Sequence, residues 1–403
     1  MKPFAYLRAL ALAALLAALV VATVLPTAKV AAQSGRQPEK KKVEKKVDEQ
    51  KANPSAHPDP QEPAPPPLPK NAKDDQVVKL STQVVNVDVT VIDKKSGRIY
   101  SNLSQKNFTV FEDGVKQEIT NFRNGEGPMT AVLLLENNRG NHYLRGNYYD
   151  PSWAQEIFQG AATFVDGFVK KDDQIALVTF AMKPKVVSDF TDDRARLHQA
   201  VVSGYQDMLN FRESCLWDAL SFVLLGGKAI QLFDEENGPS EYNGLSEVEG
   251  HTAVILISLG MDTFSKITYD KAMKIVQRAG VPIYCVHTGH LFDKKYGDFL
   301  GPDWRLDFEQ ARNALQTFAK YSGGAYFPIT FVSEFPSTMQ NISAMLRTQY
   351  NVGYAPTNTR REGKERKIKV EVDVDGDGAA DNKNLDLKFR ERYVEPDDRP
   401  AKK

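Results

Sequence analysis

The sequence predicts an α/β protein: a doubly wound, mostly parallel sheet with helices on both faces, plus a small β module. Short apolar runs at 130–135, 174–180 and 252–258 are typical of strands buried on both faces. Segments with helical periodicity separate these runs, which favours a parallel sheet. Alternating segments at 77–126 and 349–395, before and after this region, predict the strands of the β module.

Residues 1–32 have the pattern of a secretory signal peptide. Lys2 and Arg8 precede an uncharged apolar run at 9–24, and small residues follow at 30–32. We expect cleavage after Ala32 and a periplasmic or secreted protein. The alternative is an uncleaved membrane anchor, although the run is shorter than the roughly 20 residues that span a bilayer.

Composition limits the classes of partner. Residues 33–76 are rich in proline, lysine and glutamate and lack aromatic residues, which predicts a disordered linker; 396–403 is predicted to be a disordered tail. The 52 basic and 52 acidic residues exclude a polybasic nucleic-acid-binding protein, so we expect no nucleic acid, and no membrane contact beyond the export signal. The two cysteines are expected to be buried free thiols rather than a disulfide.

The β module is predicted from period-two alternation. A strand at 81–93 places alternate valines on one face, and the Asp113-Gly114 pair predicts a hairpin. The remaining predicted strands of this module cover 98–103, 107–112, 115–123 (closing a meander), 350–355, 367–374 and 385–393.

The main domain is predicted to occupy 128–348. Its predicted helices cover 153–169, 194–205, 216–233, 268–279, 308–321 and 334–346. Its further strands, besides the three apolar runs, are predicted at 185–190, 281–287 and 325–328. Ligands of such sheets bind beyond the carboxyl ends of the strands, so the segments 136–153, 210–216, 259–265 and 287–306 are expected to line the binding edge.

Five segments resemble a von Willebrand factor A (VWA) domain, and in particular the secreted bacterial group labelled VWFA-related. They are FTVFEDGVKQEITNF (108–122), DDQIALVTFAMKPKVVSDFTDDRARL (172–197), CLWDAL (215–220), AVILISLGMDTFS (253–265) and YNVGYAP (350–356). The resemblance covers roughly 80–395 and implies a VWA fold and a role in protein interaction or adhesion.

The resemblance also implies the position of a metal-ion-dependent adhesion site, which this sequence does not preserve. The family places Asp-x-Ser-x-Ser, a Thr and an Asp there, an oxygen set suited to octahedral Mg²⁺. The matching positions here are Glu136, Asn138, Gly140, Ser214 and Leu259. We therefore expect a degenerate site without Mg²⁺ in a non-enzymatic protein of the cell envelope. The alternative is a metal-dependent adhesion receptor.

Two other clusters carry metal-ligand residue types. Four acids follow the D-x-D-x-D-G-x-x-D spacing of calcium loops: Asp373, Asp375, Asp377 and Asp381. They predict Ca²⁺ binding at 373–381, with a polar hairpin turn as the alternative. Cys285, His287, His290 and Asp293 have zinc-ligand chemistry and, as an alternative function, would suit a metal-dependent hydrolase.

One loop at the predicted binding edge is rich in interaction residues. Tyrosine, tryptophan and arginine are enriched at the energetic centres of protein interfaces. The candidates for partner binding are Tyr143, Arg145, Tyr148, Tyr149 and Trp153, and the alternative is an ordinary loop whose aromatic residues pack on the domain.

Overall fold

The computed structural model describes residues 84–125, 127–137, 151–206, 213–227, 242–246, 248, 250–301 and 303–398. The predicted signal peptide, the linker and most of the aromatic loop lie outside these ranges. Within them, no helix combines the length and apolarity that a bilayer span requires.

Strands and helices alternate through the middle of the chain and strands predominate at both ends. In order they are β1 (Val85–Asp93), β2 (Phe108–Glu112), β3 (Val115–Gln117), β4 (Ile119–Arg123), β5 (Met129–Glu136), α1 (Pro151–Phe168), β6 (Gln174–Phe180), β7 (Pro184–Thr191), α2 (Arg194–Gln206), α3 (Leu216–Leu225), β8 (His251–Ser258), α4 (Tyr269–Ala279), β9 (Ile283–His287), α5 (Gly289–Tyr296), α6 (Asp303–Ser322), β10 (Tyr326–Pro328), α7 (Phe335–Arg347), β11 (Tyr350–Tyr354), β12 (Glu365–Val372), β13 (Leu385–Lys388) and β14 (Arg392–Val394).

The main sheet has six strands in the order β10-β9-β8-β5-β6-β7. All neighbours pair in parallel except β7, which runs antiparallel to β6. The chain moves outward from β5 to β6 and β7, then returns to the other side of β5 at β8. This reversal beside β5 is the topological switch point of a doubly wound sheet, where ligands bind beyond the carboxyl ends of the strands.

Two hydrophobic clusters cover the two faces of this sheet, as the predicted fold class requires. One contains buried residues of α1, α2 and α7, and the other contains those of α3 and α4. Helix α6 contributes to both, with Phe308 in the first cluster and Leu315 and Phe318 in the second. Side chains from alternate positions of each strand therefore enter opposite clusters, which explains the continuous apolar runs in the sequence.

The β module is a sandwich of two four-stranded antiparallel sheets. Their strand orders are β13-β1-β11-β4 and β14-β12-β2-β3, so each sheet combines strands from before and after the main domain. Buried residues of both sheets share one cluster, including Val87, Val89, Val110 and Val370. Neither end of the chain could bury these side chains without the other.

Four sequence predictions of secondary structure need correction. Residues 115–123 do not form one strand of a meander, because β3 pairs with β2 whereas β4 pairs with β11 in the other sheet. Residues 98–103 do not form a strand, because only Ile99 makes a bridge, with Ile92. The Tyr350 hydroxyl contacts the rest of this segment, accepting from Leu103 N and donating to Tyr100 O at 2.9 Å each. The segment 287–306 lies outside the predicted helices but is largely helical, because it contains α5 and the start of α6.

The predicted helix at 216–233 is also too long, since α3 ends at Leu225. Gly226 follows with φ +70°, and a Cβ there would meet the backbone of Tyr242 and Asn243. A residue with a side chain therefore does not fit at the position where α3 ends; residues 228–233 of the predicted helix lie outside the described ranges.

Candidate functional site at the carboxyl edge of the main sheet

Glu136, the last residue of β5, is turned toward the neighbouring strand β8. Its side chain is 1% exposed. Its Oε2 accepts hydrogen bonds from Ser258 Oγ and from Leu259 N, both at 2.8 Å. Ser258 Oγ in turn accepts from Gly260 N at 2.8 Å. The carboxylate therefore ties together the ends of the two strands that flank the switch point.

The other matching positions do not complete an oxygen cage. Leu259 is buried in the cluster that contains α1, α2 and α7. Ser214 keeps a hydroxyl, which is buried and has no hydrogen-bond partner within the described part of the chain. Asn138 and Gly140 lie outside the described residues. A buried leucine and a carboxylate already occupied by two donors do not fit a hard cation that requires six oxygen ligands.

His287, at the end of β9, is a buried neutral histidine. Its Nε2 lies 2.9 Å from Leu259 O, which can only accept, so Nε2 carries the hydrogen and donates. Its Nδ1 then accepts from the Tyr326 hydroxyl at 2.6 Å. Burial, with a smaller contribution from His290, lowers the pKa of His287 from 6.5 to about 3. The ring braces the edge of the sheet, with both nitrogens engaged by protein atoms.

The remaining members of the Cys/His/Asp group at 285–293 also have structural partners. Cys285 is a free thiol buried in the cluster with α3 and α4, and burial raises its pKa strongly. Asp293 accepts from Trp304 Nε1 at 2.9 Å. His290 packs edge to face on Phe308 with ring centroids 5.0 Å apart, and within the described residues no three members of this group converge as the hydrolase alternative would need.

A cavity of about 540 Å³ opens beside Asp262, in the segment that follows β8. Asp262 Oδ1 accepts from Trp217 N at 3.2 Å and from the Ser265 hydroxyl, which joins the segment to the start of α3. Trp217, Tyr269 and Asp307 also line the cavity. Desolvation by burial, followed by repulsion from Asp218, raises the pKa of Asp262 to about 6.

The segment that carries Asp262 is held against the residues preceding α3 by backbone contacts. Ser214 O accepts from Thr263 N at 2.8 Å and from Phe264 N at 2.9 Å. Ser214 N donates to Thr263 Oγ1 at 2.9 Å. Two segments predicted separately to line the binding edge are therefore a single braced unit.

The acidic loop at 373–381 brings together three of its four predicted ligands. One ligand atom each from Asp373, Asp375 and Asp377 lies within 4.8 Å of the others, and no other such group of three occurs within the described ranges. Asp381 is used differently, since its Oδ2 accepts from Val374 N at 2.8 Å. Asp373 accepts from Gly376 N and Gly378 N, and these bonds lower its pKa. Calcium binding here stays a prediction.

The predicted partner-binding loop cannot be placed. Tyr143, Arg145, Tyr148 and Tyr149 lie outside the described residues, and Trp153 is placed only as a backbone position in the first turn of α1.

Sequence reasoning missed two residues of this edge. Ser258 is the hydrogen-bond partner of Glu136. The sequence feature that could have revealed it is that each is a polar residue at the end of an otherwise apolar strand, and the preceding residues, Leu135 and Ile257, are paired. Asp262 lies three residues beyond Leu259 and is therefore not one of the matching positions. Asp262 and Trp217 are 45 positions apart in the chain, so no local sequence pattern indicates their contact.

Comparison with known proteins adds solved structures only, since no family model and no curated protein matches the chain. The matching structures include proximal thread matrix protein 1 of the mussel byssus (13% identity, 58% of this chain, 50% of that chain, TM-score 0.38). They also include BatB of Bacteroides thetaiotaomicron (13% identity, 55% of this chain, 100% of that chain, TM-score 0.35). A third is the vWF domain of the pilus tip protein Mfa5 of Porphyromonas gingivalis (13% identity, 54% of this chain, 95% of that chain, TM-score 0.34).

The chain's own strand order and two layers of helices are those of a doubly wound, mostly parallel α/β sheet, the fold class that the sequence predicts. The chain spans about half the length of the mussel protein that it matches.

Proposed function

We propose that this is an exported, non-enzymatic VWA-like protein that binds another protein at the carboxyl edge of its main sheet without a metal ion. The observation that carries this proposal is the environment of Glu136. A metal-dependent site needs its carboxylate directed at the ion, whereas Glu136 Oε2 accepts from Ser258 Oγ and Leu259 N. Hydrogen bonds between buried polar groups therefore hold this edge at the switch point, where ligands of such folds bind.

Export and a periplasmic or extracellular location are parts of the same proposal and are supported by the signal-peptide pattern at 1–32. A role in adhesion is supported by the composition of the loop that follows β5. Its tyrosines, arginine and tryptophan are residue types that dominate the binding energy of protein interfaces.

The test is the response to Mg²⁺. We expect about 1 mM Mg²⁺ to leave the Tm of the protein unchanged, and a partner captured from envelope extract to remain bound in EDTA. An ion held with a Kd of about 10 µM would instead raise the free energy of unfolding by about 2.7 kcal/mol.

The control compares Glu136→Gln, which keeps the shape of the side chain, with Asp303→Asn at an exposed position of α6. A Mg²⁺-dependent rise in Tm that Glu136→Gln removes and Asp303→Asn retains would contradict the proposal. That result would support the alternative of a metal-dependent adhesion receptor.

A further inference from the structure

We propose that the cavity beside Asp262 binds a basic side chain, lysine or arginine, presented by the partner protein. This inference rests on the proposed function and names the chemistry of the partner at that edge. It is carried by four features of the cavity: its acids, its aromatic walls, its apolar rim and its rigid support.

The acids of the cavity lack a cationic partner. Asp262 and Asp307 both line it, and neither forms an ion pair within the described residues. Asp262 is partly buried and lies near Asp218. Desolvation by burial, followed by repulsion from Asp218, raises the pKa of Asp262 to about 6. A desolvated carboxylate is costly unless it is paired, so the cavity favours an incoming positive charge.

Two aromatic side chains supply the walls. Trp217 and Tyr269 meet edge to face with ring centroids 5.5 Å apart, and both pack on Phe318 at 5.3 Å. A cation beside such rings gains attraction from the aromatic quadrupole, and the alkyl stem of lysine or arginine suits the apolar part of the wall. A neutral or acidic side chain would gain neither the attraction of the rings for a cation nor the attraction of the carboxylates for a positive charge.

The surroundings of the cavity suit a protein rather than a free amine. Phe264, two residues after Asp262, is 41% exposed, and Leu306, beside Asp307, is 63% exposed. Leu306 lies one turn before Gln310, a cavity-lining residue, on the same face of α6. Exposed large apolar side chains beside a charged cavity are typical of an interface with a buried anchor and an apolar surround.

The support of Asp262 is rigid, because its carboxylate accepts from Trp217 N and Ser265 Oγ while Thr263 and Phe264 are bonded to Ser214. The cavity is therefore built before the partner arrives, and binding does not need to order the loop.

The test uses two small probes that share a four-carbon side chain and differ by one terminal ammonium group, Nα-acetyl-lysine methylamide and Nα-acetyl-norleucine methylamide, titrated into the full chain at pH 7.5 with ligand-observed NMR. We expect saturable binding of the lysine probe and at least about tenfold weaker binding of the norleucine probe. Asp262→Asn, which retains an oxygen to accept from Trp217 N, is expected to lower the affinity for the lysine probe by at least about tenfold. Asp307→Asn is expected to lower that affinity by a smaller factor.

The matched control is Asp303→Asn, which removes one negative charge from an exposed position of the same helix and is expected to leave probe binding unchanged. Equal binding of the two probes, no saturable binding of the lysine probe, or equal affinity in a folded Asp262→Asn variant would overturn the inference. Partner capture in EDTA is a separate readout: its loss contradicts the proposed function, whereas loss of probe discrimination contradicts only the cavity assignment.

Discussion

At the scale of single residues, Glu136 illustrates how one side chain joins the ends of two neighbouring strands. The register of β5 and β8 pairs Leu135 with Ile257, so the next residues, Glu136 and Ser258, lie side by side at the strand ends. The glutamate then reaches the hydroxyl and backbone amide of the neighbouring strand. A single buried carboxylate oxygen therefore accepts two hydrogen bonds, one from a side chain and one from the backbone.

His287 leads to a pH prediction. Its pKa is about 3 in the folded protein against 6.5 ordinarily, so between these values the unfolded chain binds a proton that the folded chain does not. The stabilisation from this group is therefore complete above pH 6.5 and is lost as the pH falls toward 3. We expect it to contribute up to about 1.4 kcal/mol per pH unit to the pH dependence of the free energy of unfolding.

Urea unfolding between pH 7.5 and 4.5 measures this contribution. His287→Gln is expected to be less stable at neutral pH and to show a shallower pH dependence than wild type. His198→Gln, at an exposed position, is the control and should keep the wild-type slope. Parallel slopes for wild type and a folded His287→Gln would show that the His287 assignment is wrong.

At the scale of elements, the acidic loop between β12 and β13 is the clearest feature that a ligand could change. Asp373, Asp375 and Asp377 converge within 4.8 Å, and like charges at that separation repel unless a cation lies among them. The loop connects one strand from each sheet of the sandwich, since β12 pairs with β2 and β13 pairs with β1.

We expect millimolar Ca²⁺ to raise the unfolding temperature of the β sandwich and to change that of the main sheet little. Bound Ca²⁺ would offset most of the negative charge of the loop and fix the ends of β12 and β13, one from each sheet, relative to each other, because its oxygen ligands are carboxylates and carbonyls of the connecting segment. Differential scanning calorimetry and isothermal titration check this. The double variant Asp375→Ala, Asp377→Ala should abolish the effect, whereas Glu118→Ala, an exposed acid of the same sandwich, should not. Absence of both heat and a thermal shift would leave 373–381 as an ordinary turn.

At the scale of the whole molecule, two helices of the main domain end against the segment that joins β13 to β14. Helices α4 and α6 are followed by Gly280 and Gly323, with φ of +66° and +86°. A Cβ on Gly323 would lie 2.6 Å from Arg390 N and 2.9 Å from Phe389 C. Arg390 Nη2 also donates to Asn86 O of β1. The sandwich and the main domain therefore meet at backbone that has no room for side chains.

Replacement of Gly323 by alanine tests this packing. We expect Gly323→Ala to lower the free energy of unfolding by more than the roughly 1–2 kcal/mol that a left-handed alanine costs by itself, because the methyl group also meets backbone that cannot move cheaply. Gly114→Ala is the matched control, since Gly114 has φ +85° but nothing within 4 Å of its Cβ position. Equal losses in the two variants, measured by chemical unfolding, would contradict close packing at Gly323.

The sequence by itself determined the fold class and the identity of the groups at the binding edge. Apolar runs such as 252–258 predict buried strands because both neighbouring layers exclude water, and Gly280 marks the end of α4 because a left-handed residue ends a helix. The substitutions at Glu136 and Leu259 are likewise visible as residue types in a known order of elements.

Only the tertiary structure decided what those groups contact. The pattern at 115–123 shows that its side chains alternate, but not that β3 and β4 belong to different sheets. The bond from Glu136 to Ser258 depends on strand register, and the cavity at Asp262 depends on the packing of α3, α4 and α6 around it. The physical reason is that periodicity reports which face of an element is buried. The neighbour against which that face packs depends on contacts between residues far apart in the chain.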